Sequence, residues 1–339
     1  MNMKELTIHN QKNKDIITFS LPAKKAYFLS FTLLSVAILI LFFLYTTQKT
    51  SLHTTTSTLL NPALIVIEKK NRIIDFQELR EYLTNTYEQR EDYMVSIYFE
   101  YLPTGANIAV NKDEKIWPAS LIKIPVAMSV MKKVQDKKWQ IENELVILDE
   151  DKDSEYGVLY KEPTGTTLTI QTFLEKTLID SDNTAHFVLL RNLDGGELED
   201  VYVHLGLDDV IETLKKSPKK ETEADNRITA KRYSIFFRSL YNATYLDQEH
   251  SELFLEILKQ APRDLLGNGI PKEIPFVHKT GVRIDEAVRA DSGIVYAHGR
   301  PYIITVMIQK KKGALDEKEV GLLFEDISRK IYHYVTRDN

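Results

Sequence analysis

A serine and a lysine stand one helical turn apart in the segment WPASLIKIP, residues 117–125. Because residues at positions i and i+3 of a helix share a face, Ser120 and Lys123 can meet. A lysine beside a serine is one way to make a hydroxyl nucleophilic. Pro125 is tolerated only in the first turn of a helix, so the apolar helix must begin close to Ser120. The sequence thus predicts a nucleophile at a helix N-terminus, where unpaired N–H groups favour developing negative charge.

Two further short motifs follow this pair along the chain. The tripeptide SDN occupies 181–183, inside an apolar helical pattern, and KTG occupies 279–281, at the start of a strand-like segment. Each motif is a weak signal alone, since SDN can be a helix cap and the S-x-x-K spacing recurs at 129–132 and 217–220 without a matching context. The ordered set, with 61 positions between the first two motifs, is the stronger signal.

The three motifs in this order resemble those of class A β-lactamases and penicillin-binding proteins. The chain is most similar to the class A β-lactamase catalytic domain, and the resemblance covers about residues 66–337. It includes the hairpin before the serine, the helix pair around SDN, and the strands SGIVY and YIITVMI. The resemblance implies a serine hydrolase that needs no cofactor and no metal. Its substrate would be a β-lactam or a peptidoglycan stem peptide.

The residue types of the set suit acyl transfer. Ser120 would attack a carbonyl and become acylated. Lys123 would accept the proton if burial and a second cation, Lys279, keep it partly neutral. The hydroxyl of Ser181 can accept and donate, so it can relay a proton towards the leaving nitrogen. The resemblance further implies an oxyanion hole built from the backbone N–H groups of Ser120 and Val282.

The remaining motif residues suit substrate binding. Asn183 offers an amide that can hold the amide of the substrate, and Lys279 and Thr280 suit a substrate carboxylate. Gly281 has no side chain, so an extended substrate could lie along the strand edge. Asp182, in contrast, is interpreted as a structural residue, because aspartate is a good helix cap.

The sequence departs from the class A pattern at one functional point. Class A β-lactamases carry a Glu-x-x-Leu-Asn motif whose glutamate activates the water that releases the acyl-enzyme. The corresponding segment, 208–228, has no such motif, although RITA at 227–230 resembles the end of that loop. Glu212, Glu221 and Glu223 are the candidates for the deacylation base, and solvated loop carboxylates are the favoured interpretation of all three.

Hydrophobic periodicity predicts the elements that must position these residues. Helices are predicted at about 66–90, 120–134, 169–179, 184–193, 197–207, 230–246, 249–260 and 316–335. Strands are predicted at 93–101, 106–111, 277–281, 292–296 and 302–309. This segregated order predicts an α+β fold, with an antiparallel five-stranded sheet flanked by terminal helices and an inserted all-α subdomain at about 120–262.

Composition narrows the class of protein. The chain has 339 residues, of which 43% are hydrophobic and 27% charged, as in an ordinary folded protein. Its net charge of -5 argues against a nucleic-acid-binding surface, which needs a basic patch. The sequence contains no cysteine, which excludes disulfides, thiol catalysis and cysteine-ligated metals.

The N-terminal segment predicts a membrane anchor. Residues 1–25 carry an excess of lysine, and residues 26–48 carry no charge, which is long enough for a bilayer-spanning helix of about 20 residues. The lysine excess predicts a cytoplasmic tail at 1–25 and an extracytoplasmic remainder. A stalk rich in threonine and serine would follow at 49–64, and the catalytic domain at 65–339. A cleaved signal peptide and a buried core helix are the less favoured alternatives.

Together these patterns predict a serine hydrolase anchored in a bacterial cytoplasmic membrane, acylated at Ser120 by β-lactams and hydrolysing the β-lactam amide. One alternative is a penicillin-binding-protein-like D-Ala-D-Ala peptidase that acts on cell-wall peptides with slow deacylation. A second is a non-catalytic descendant that binds wall peptides. The intact set of motif residues argues against the second alternative.

Overall fold

The computed structural model describes residues 3–8, 17–22, 35–36, 59, 74–210 and 226–337. The chain divides into two compact units, residues 1–57 and 58–339. In the first unit, β1 (Met3–Ile8) pairs antiparallel with β2 (Ile17–Pro22). This hairpin was not predicted, because the excess of lysine in residues 1–25 favoured the interpretation as a polar tail. The segment does contain a short alternation of apolar residues.

The predicted membrane span at 26–48 lies outside the described residues, apart from Ser35 and Val36, which are helical. Among the helices that the structure does describe, none is both long and apolar enough to cross a bilayer. The predicted stalk at 49–64 also lies outside the described residues, apart from Leu59. The anchor, the stalk and the domain start at residue 65 therefore stay predictions.

The second unit contains both helices and strands. Its helices are α1 (Gln77–Tyr87), α2 (Lys123–Gln135), α3 (Ile170–Leu178), α4 (Asn183–Arg191), α5 (Gly195–His204), α6 (Ala230–Asn242), α7 (Gln248–Leu258) and α8 (Glu317–Thr336). Its strands are β3 (Tyr93–Tyr101), β4 (Ala106–Val110), β5 (Glu144–Val146), β6 (Thr167–Thr169), β7 (Phe276–Arg283), β8 (Val288–Val295) and β9 (Tyr302–Lys310). Short 3-10 helices lie at Ala119–Ile122, Asp149–Asp151, Leu159–Lys161 and Leu265–Gly269.

Short polar side chains fix where most of these helices begin. Each accepts a hydrogen bond from a backbone N–H of the first helical turn, which otherwise has no partner inside the helix. The capping residues of α3 to α8 are Thr169, Asp182, Asp194, Thr229, Asp247 and Asp316. The helix predicted to begin at residue 197 begins at Gly195 instead. Gly195 and Gly196 belong to α5 because Asp194 and Glu197 form a capping box around them.

Five strands form one antiparallel sheet in the order β4-β3-β9-β8-β7. The chain leaves the sheet after β4 at one edge and returns at β7, which is the opposite edge. The segment between them is mostly helical, although β5 and β6 form a small antiparallel pair inside it, so the inserted subdomain is not all-α as predicted. The α+β class and the five-stranded sheet are confirmed.

Apolar side chains pack on both faces of this sheet. On one face, Val95 and Phe99 of β3 pack with α1 and α8. On the other face, Ala290 and Ile294 of β8 belong to a core shared with the helical segment. Successive residues of a strand point to opposite faces, so nearly every strand position is buried. The sheet is therefore a covered, rigid platform, and only the edge strand β7 borders the site described next.

Candidate active site

The predicted nucleophile lies in a 3-10 turn, one residue after a strained position. Ser120 belongs to the 3-10 helix Ala119–Ile122, and α2 begins only at Lys123, so the α-helix starts slightly later than predicted. Ala119 has φ of 49°, a left-handed conformation that is unfavourable for a residue with a side chain. The hydroxyl of Tyr233 donates to the carbonyl oxygen of Leu121 at 2.8 Å, which fixes this turn on the core.

Lys123 is almost completely buried, at 2% exposure, and its ammonium points towards the SDN motif. Its Nζ donates to the carbonyl oxygen of Ser181 at 2.6 Å, to Ser181 Oγ at 3.1 Å and to Asn183 Oδ1 at 2.7 Å. Within the described part of the chain, no hydrogen bond joins Lys123 directly to Ser120. The spacing of the motif brings the two residues to one site, and SDN holds the lysine there.

Ser181 links the two lysines of the site. Its Oγ accepts from Lys123 and also from Lys279 Nζ, the latter at 2.9 Å. Lys279 lies on β7, and its Nζ also donates to the carbonyl oxygen of Thr280 at 3.1 Å. Ser181 itself has φ of 55°, a second left-handed residue in the site. A hydroxyl between two amines can move a proton from one to the other or onwards to a leaving group.

Burial and mutual repulsion lower the basicity of both lysines. Loss of hydration, together with the positive charge of Lys279, lowers the pKa of Lys123 to about 7. Burial also lowers the pKa of Lys279 to about 8. A substantial fraction of Lys123 is therefore neutral at physiological pH. A neutral amine has the lone pair that a general base needs.

Asp182 organises the backbone around the site. Its carboxylate accepts from the N–H of Ala185 at 2.9 Å, which caps α4, and from the N–H groups of Val158 and Leu159 at 2.6 and 2.9 Å. Gly157 allows this close approach, because a Cβ there would lie 2.0 Å from an Asp182 oxygen. The aspartate therefore holds the loop 149–167 against α4, which is a structural role.

Asn183 is held from two directions. Its Oδ1 accepts from Lys123, and its Nδ2 donates to Asp153 Oδ1 at 2.9 Å. Asp153 belongs to the loop that Asp182 anchors, so one loop supports the amide of Asn183 on the side away from Lys123. Burial and hydrogen bonds on both sides leave this amide with a fixed orientation.

Gly281 is required for packing. A Cβ at Gly281 would lie 2.8 Å from the carbonyl oxygen of Pro118 and 3.2 Å from Ala119 Cβ. The missing side chain thus lets β7 pack closely on the nucleophile turn. Substrate access along the strand edge, the role expected for Gly281, stays a prediction, and close packing is a second physical reason for the missing side chain.

Ser120 lies where two lobes of one cleft meet. The helix lobe, about 340 Å³, is lined by Lys123, by Asn226 and by Asn183, His186 and Phe187 of α4. The strand lobe, about 220 Å³, is lined by Ser181, Lys279 and Thr280. Ser120, Tyr156 and Val282 line both lobes. The two residues predicted to supply the oxyanion hole therefore border the same space.

The structure brings together every predicted site residue that it describes. These residues are Ser120, Lys123, Ser181, Asn183, Lys279, Thr280, Gly281 and Val282. The three candidate deacylation bases, Glu212, Glu221 and Glu223, lie outside the described residues, so their roles stay predictions.

Among the residues that line the cleft and were not predicted from the sequence are Tyr156, His186 and Asn226. A signal existed only for His186, which stands three positions after Asn183 and therefore on the same face of α4. Tyr156 and Asn226 lie in irregular segments. Tertiary contacts, which a local pattern does not reveal, bring these two residues to the site.

One group of side chains beneath β7 has the chemistry of metal ligands. The ligand atoms of Asp264, His278 and Asp291 lie within 4.8 Å of one another. His278 Nδ1, however, lies 2.9 Å from Asp291 Oδ1, and its Nε2 lies 3.1 Å from the carbonyl oxygen of Pro262. Both ring nitrogens are thus used within the protein, and the group holds β7 and β8 to the segment at 262–266.

The comparisons with known proteins agree with this geometry. The profile of the β-lactamase enzyme family matches residues 78–335. The β-lactamase VEB-1 of Pseudomonas aeruginosa is 23% identical over 242 residues, which cover 67% of this chain and 80% of VEB-1. The matched region is the second unit, which contains the whole described cleft.

Two solved structures show the same fold. The β-lactamase of Sphaerobacter thermophilus superposes with a TM-score of 0.67 at 24% identity, covering 78% of this chain and 98% of the other. A mutant of PBP-A, solved as an acyl-enzyme complex with penicillin G, superposes with a TM-score of 0.68 at 22% identity, covering 76% and 96%. The fold is that of β-lactamases and penicillin-binding proteins. The chain belongs to the β-lactamase enzyme family.

Proposed function

We propose that this protein is a serine β-lactamase of the class A type, acylated at Ser120. The observation that supports this most is the arrangement around Lys123. A buried lysine with a pKa of about 7 lies beside the serine turn, with a hydroxyl bridging it to a second lysine. This arrangement supplies a base, a proton relay and a cationic binding group, which are the parts that acyl transfer needs.

In the proposed reaction, neutral Lys123 accepts the proton of Ser120 as the hydroxyl oxygen adds to the β-lactam carbonyl carbon. The backbone N–H groups of Ser120 and Val282 stabilise the negative charge on the carbonyl oxygen. The proton then passes through Ser181 to the lactam nitrogen, and the carbon–nitrogen bond breaks. The product is an ester between Ser120 and the opened lactam.

The second lysine has two tasks in this proposal. Its charge lowers the pKa of Lys123, and together with Thr280 it binds the substrate carboxylate in the strand lobe. Asn183 holds the side-chain amide of the substrate on the opposite wall. The substrate therefore spans both lobes, with its reactive carbonyl over the serine.

Covalent labelling tests the acylation step. The purified full-length chain, incubated with a fluorescent penicillin, is expected to carry one label, and Ser120→Ala is expected to carry none. Ser129→Ala is the matched control: Ser129 has the same S-x-x-K spacing, but its hydroxyl is buried against the carbonyl oxygen of Pro125. This control is expected to label like the wild type. If the wild-type chain stays unlabelled, the proposed enzymatic function is wrong, and the alternative of a non-catalytic protein that binds wall peptides is favoured.

A D-Ala-D-Ala peptidase is the second candidate, and the missing Glu-x-x-Leu-Asn motif favours it. Turnover of a chromogenic cephalosporin separates the two activities. Many cycles per molecule support the β-lactamase. A stoichiometric burst followed by no further hydrolysis supports the peptidase, for which release of D-alanine from a wall peptide becomes the assay.

A further inference from the structure

Two buried polar atoms of residues that line the helix lobe have no hydrogen-bond partner among the described residues. They are Nδ1 of His186 and Oδ1 of Asn226. Native structures satisfy nearly all such atoms with protein groups or with ordered water. Because Ser120 lines the same lobe, a small polar guest that satisfied both atoms would lie beside the nucleophile.

The fold of α4 directs His186 to this lobe. His186 is only 6% exposed and follows Asn183 by three positions, so it shares the helix face that holds Lys123. Its neighbour Phe187 also lines the lobe and contacts the imidazole ring, with 5.4 Å between ring centroids. The ring thus packs against this phenylalanine at the wall of the lobe.

Burial and the charge of the site keep His186 neutral. Burial, together with the positive charges of Lys123 and Lys279, lowers the pKa of His186 to about 3. A neutral imidazole has one N–H donor and one lone pair. His186 can therefore donate a hydrogen bond from Nδ1–H at physiological pH, but it is too weak a base to take up a proton.

A backbone bridge holds the segment that contains Asn226, which also lines the helix lobe. Ile228, two positions later, exchanges backbone hydrogen bonds of 3.1 and 3.0 Å with Ile116. Ile116 lies just before the nucleophile turn, so the bridge ties the segment that begins at Asn226 to Ser120. The amide of Asn226 is thereby presented to the lobe by fixed backbone.

Water is the guest that fits these two atoms best. A buried water typically makes about three hydrogen bonds to polar groups that would otherwise be unsatisfied. When the Nδ1–H of His186 donates to the water and Asn226 Oδ1 accepts from it, one proton and one lone pair of the water remain free. The groups proposed to bind substrate, Asn183 and Thr280, are separate from this pair, so a bound lactam leaves the water in place.

We propose that His186 and Asn226 hold the water that hydrolyses the acyl-Ser120 ester, an inference that rests on the proposed acylation of Ser120. The water oxygen adds to the ester carbonyl carbon while one water proton passes to neutral Lys123. The bond between the carbonyl carbon and Ser120 Oγ then breaks, and Lys123 returns the proton to the serine. The pair thus supplies the water site that the missing glutamate motif would otherwise provide.

The test measures formation and decay of the acyl-enzyme separately. The full-length chain is mixed with benzylpenicillin, the reaction is quenched at intervals, and intact-protein mass spectrometry measures the fraction of acyl-enzyme. His186→Phe keeps an aromatic ring and removes both nitrogens, and Asn226→Leu replaces the amide with an apolar group of similar size. For each variant we expect decay of the acyl-enzyme to slow by about 100-fold, the scale on which positioned acid–base groups act. Acylation is expected to stay within about threefold of wild type, because the variants leave Lys123 and Ser181 in place.

Two further variants make the result specific. His186→Gln retains a polar side chain with an N–H donor and is expected to restore part of the decay rate. His298→Ala removes an exposed histidine outside the cleft and is expected to behave as wild type. Thermal unfolding of each variant shows that it is folded.

The outcomes separate this inference from the proposed function. If the wild type forms no adduct, acylation at Ser120 is wrong. If the wild type forms an adduct that persists, acylation holds and the water site is refuted. Equal decay in wild type, His186→Phe and Asn226→Leu also refutes the water site.

Discussion

At the scale of single residues, the chemistry of this site depends on one buried amine with three acceptors. Lys123 donates to two oxygens of Ser181 and to Asn183, so each of its protons has a defined partner. Loss of one proton removes one of these bonds and creates a lone pair. The lysine can therefore change its charge without leaving its place, which suits a base that acts repeatedly.

The pH dependence of acylation tests the charge coupling between the lysines. Because the pKa of Lys123 is lowered to about 7, its neutral form grows as pH rises, and the acylation rate should rise through about pH 7. Lys279 loses its charge near pH 8, so binding of the carboxylate should weaken above that value. Stopped-flow labelling with a fluorescent penicillin between pH 5 and pH 10 measures both limbs.

Substitution of Lys279 should shift the pH range over which the acylation rate rises, which is the ascending limb of the pH profile. Lys279→Met removes a cation that lowers the pKa of Lys123, so the limb is expected to shift to higher pH. Lys279→Arg keeps the charge and should leave the limb in place. The carboxylates of Asp182, Asp153 and Glu155 act on Lys123 in the opposite direction and are present in both variants. An unchanged limb in Lys279→Met would show that burial alone sets the basicity of Lys123.

Residue types and spacing were enough to predict the motif residues of this site, but not their contacts. Lys123 was expected to pair with Ser120, whereas SDN holds it, because the side chain extends along the cleft and away from its own turn. The packing of β7 on Pro118, which also needs Gly281, was not predicted. Asn226 lies in an irregular segment, which the Ile116–Ile228 bridge ties to the segment before Ser120.

At the scale of elements, a loop and a helix cap form one structural part of the site. The loop 149–167 contributes Tyr156 to the cleft and Asp153 to Asn183. Asp182 anchors this loop through two backbone N–H groups while it caps α4. Displacement of the loop would therefore also disturb the start of the helix that carries Asn183.

A matched pair of glycines tests this coupling. Gly157 and Gly165 have nearly the same φ, 93° and 92°, but a Cβ at Gly157 would meet Asp182 at 2.0 Å, whereas Gly165 has open space. Gly165→Ala should lower the free energy of unfolding by about 1 kcal/mol through backbone strain alone. Gly157→Ala should lower it by about 3 kcal/mol or more, because the loop must also move.

Urea unfolding measures the two stabilities, and penicillin labelling measures the site. Only Gly157→Ala is expected to slow acylation, since Gly165 has no contact with Asp182. Equal losses of stability in both variants would contradict a special role for the contact between Gly157 and Asp182.

Most element types were predictable because their periodicity is strong. The apolar face of α8 and the alternating strands β3 and β9 are examples, and their bounds differ by at most one residue from those predicted. The pair β5–β6 was missed because three-residue strands carry too few positions for a pattern. The β1–β2 hairpin was missed because the excess of lysine in residues 1–25 favoured the interpretation as a polar tail. The start of α5 was misplaced because Asp194 overrides the low helix propensity of the two glycines.

At the scale of the whole molecule, the sequence places a catalytic unit after a predicted membrane span. A hydrolase that acts on β-lactams or wall peptides meets its substrate outside the cytoplasmic membrane. We propose that the second unit faces that side and is tethered by residues 26–48. The excess of lysine before the span supports this orientation.

The absence of cysteine makes the orientation directly measurable. Asn13→Cys and His298→Cys each introduce a single thiol on either side of the predicted span. In intact cells without an outer membrane, a membrane-impermeant maleimide should label only His298→Cys, while lysed cells should show labelling of both. Labelling of Asn13→Cys in intact cells would contradict the proposed orientation. Release of the wild type from membranes by carbonate would contradict the tether.

Two residues with left-handed backbone, Ala119 and Ser181, stand at the two functional serines. Glycine or asparagine would occupy such positions with less strain. A library of variants sorted only for resistance to heat should therefore accumulate Gly or Asn at 119 and 181, whereas a library sorted for survival on a β-lactam should retain Ser181. Position 181 would thus record which of the two selections a lineage has experienced, and a homologue that has lost its catalytic activity could be recognised there first.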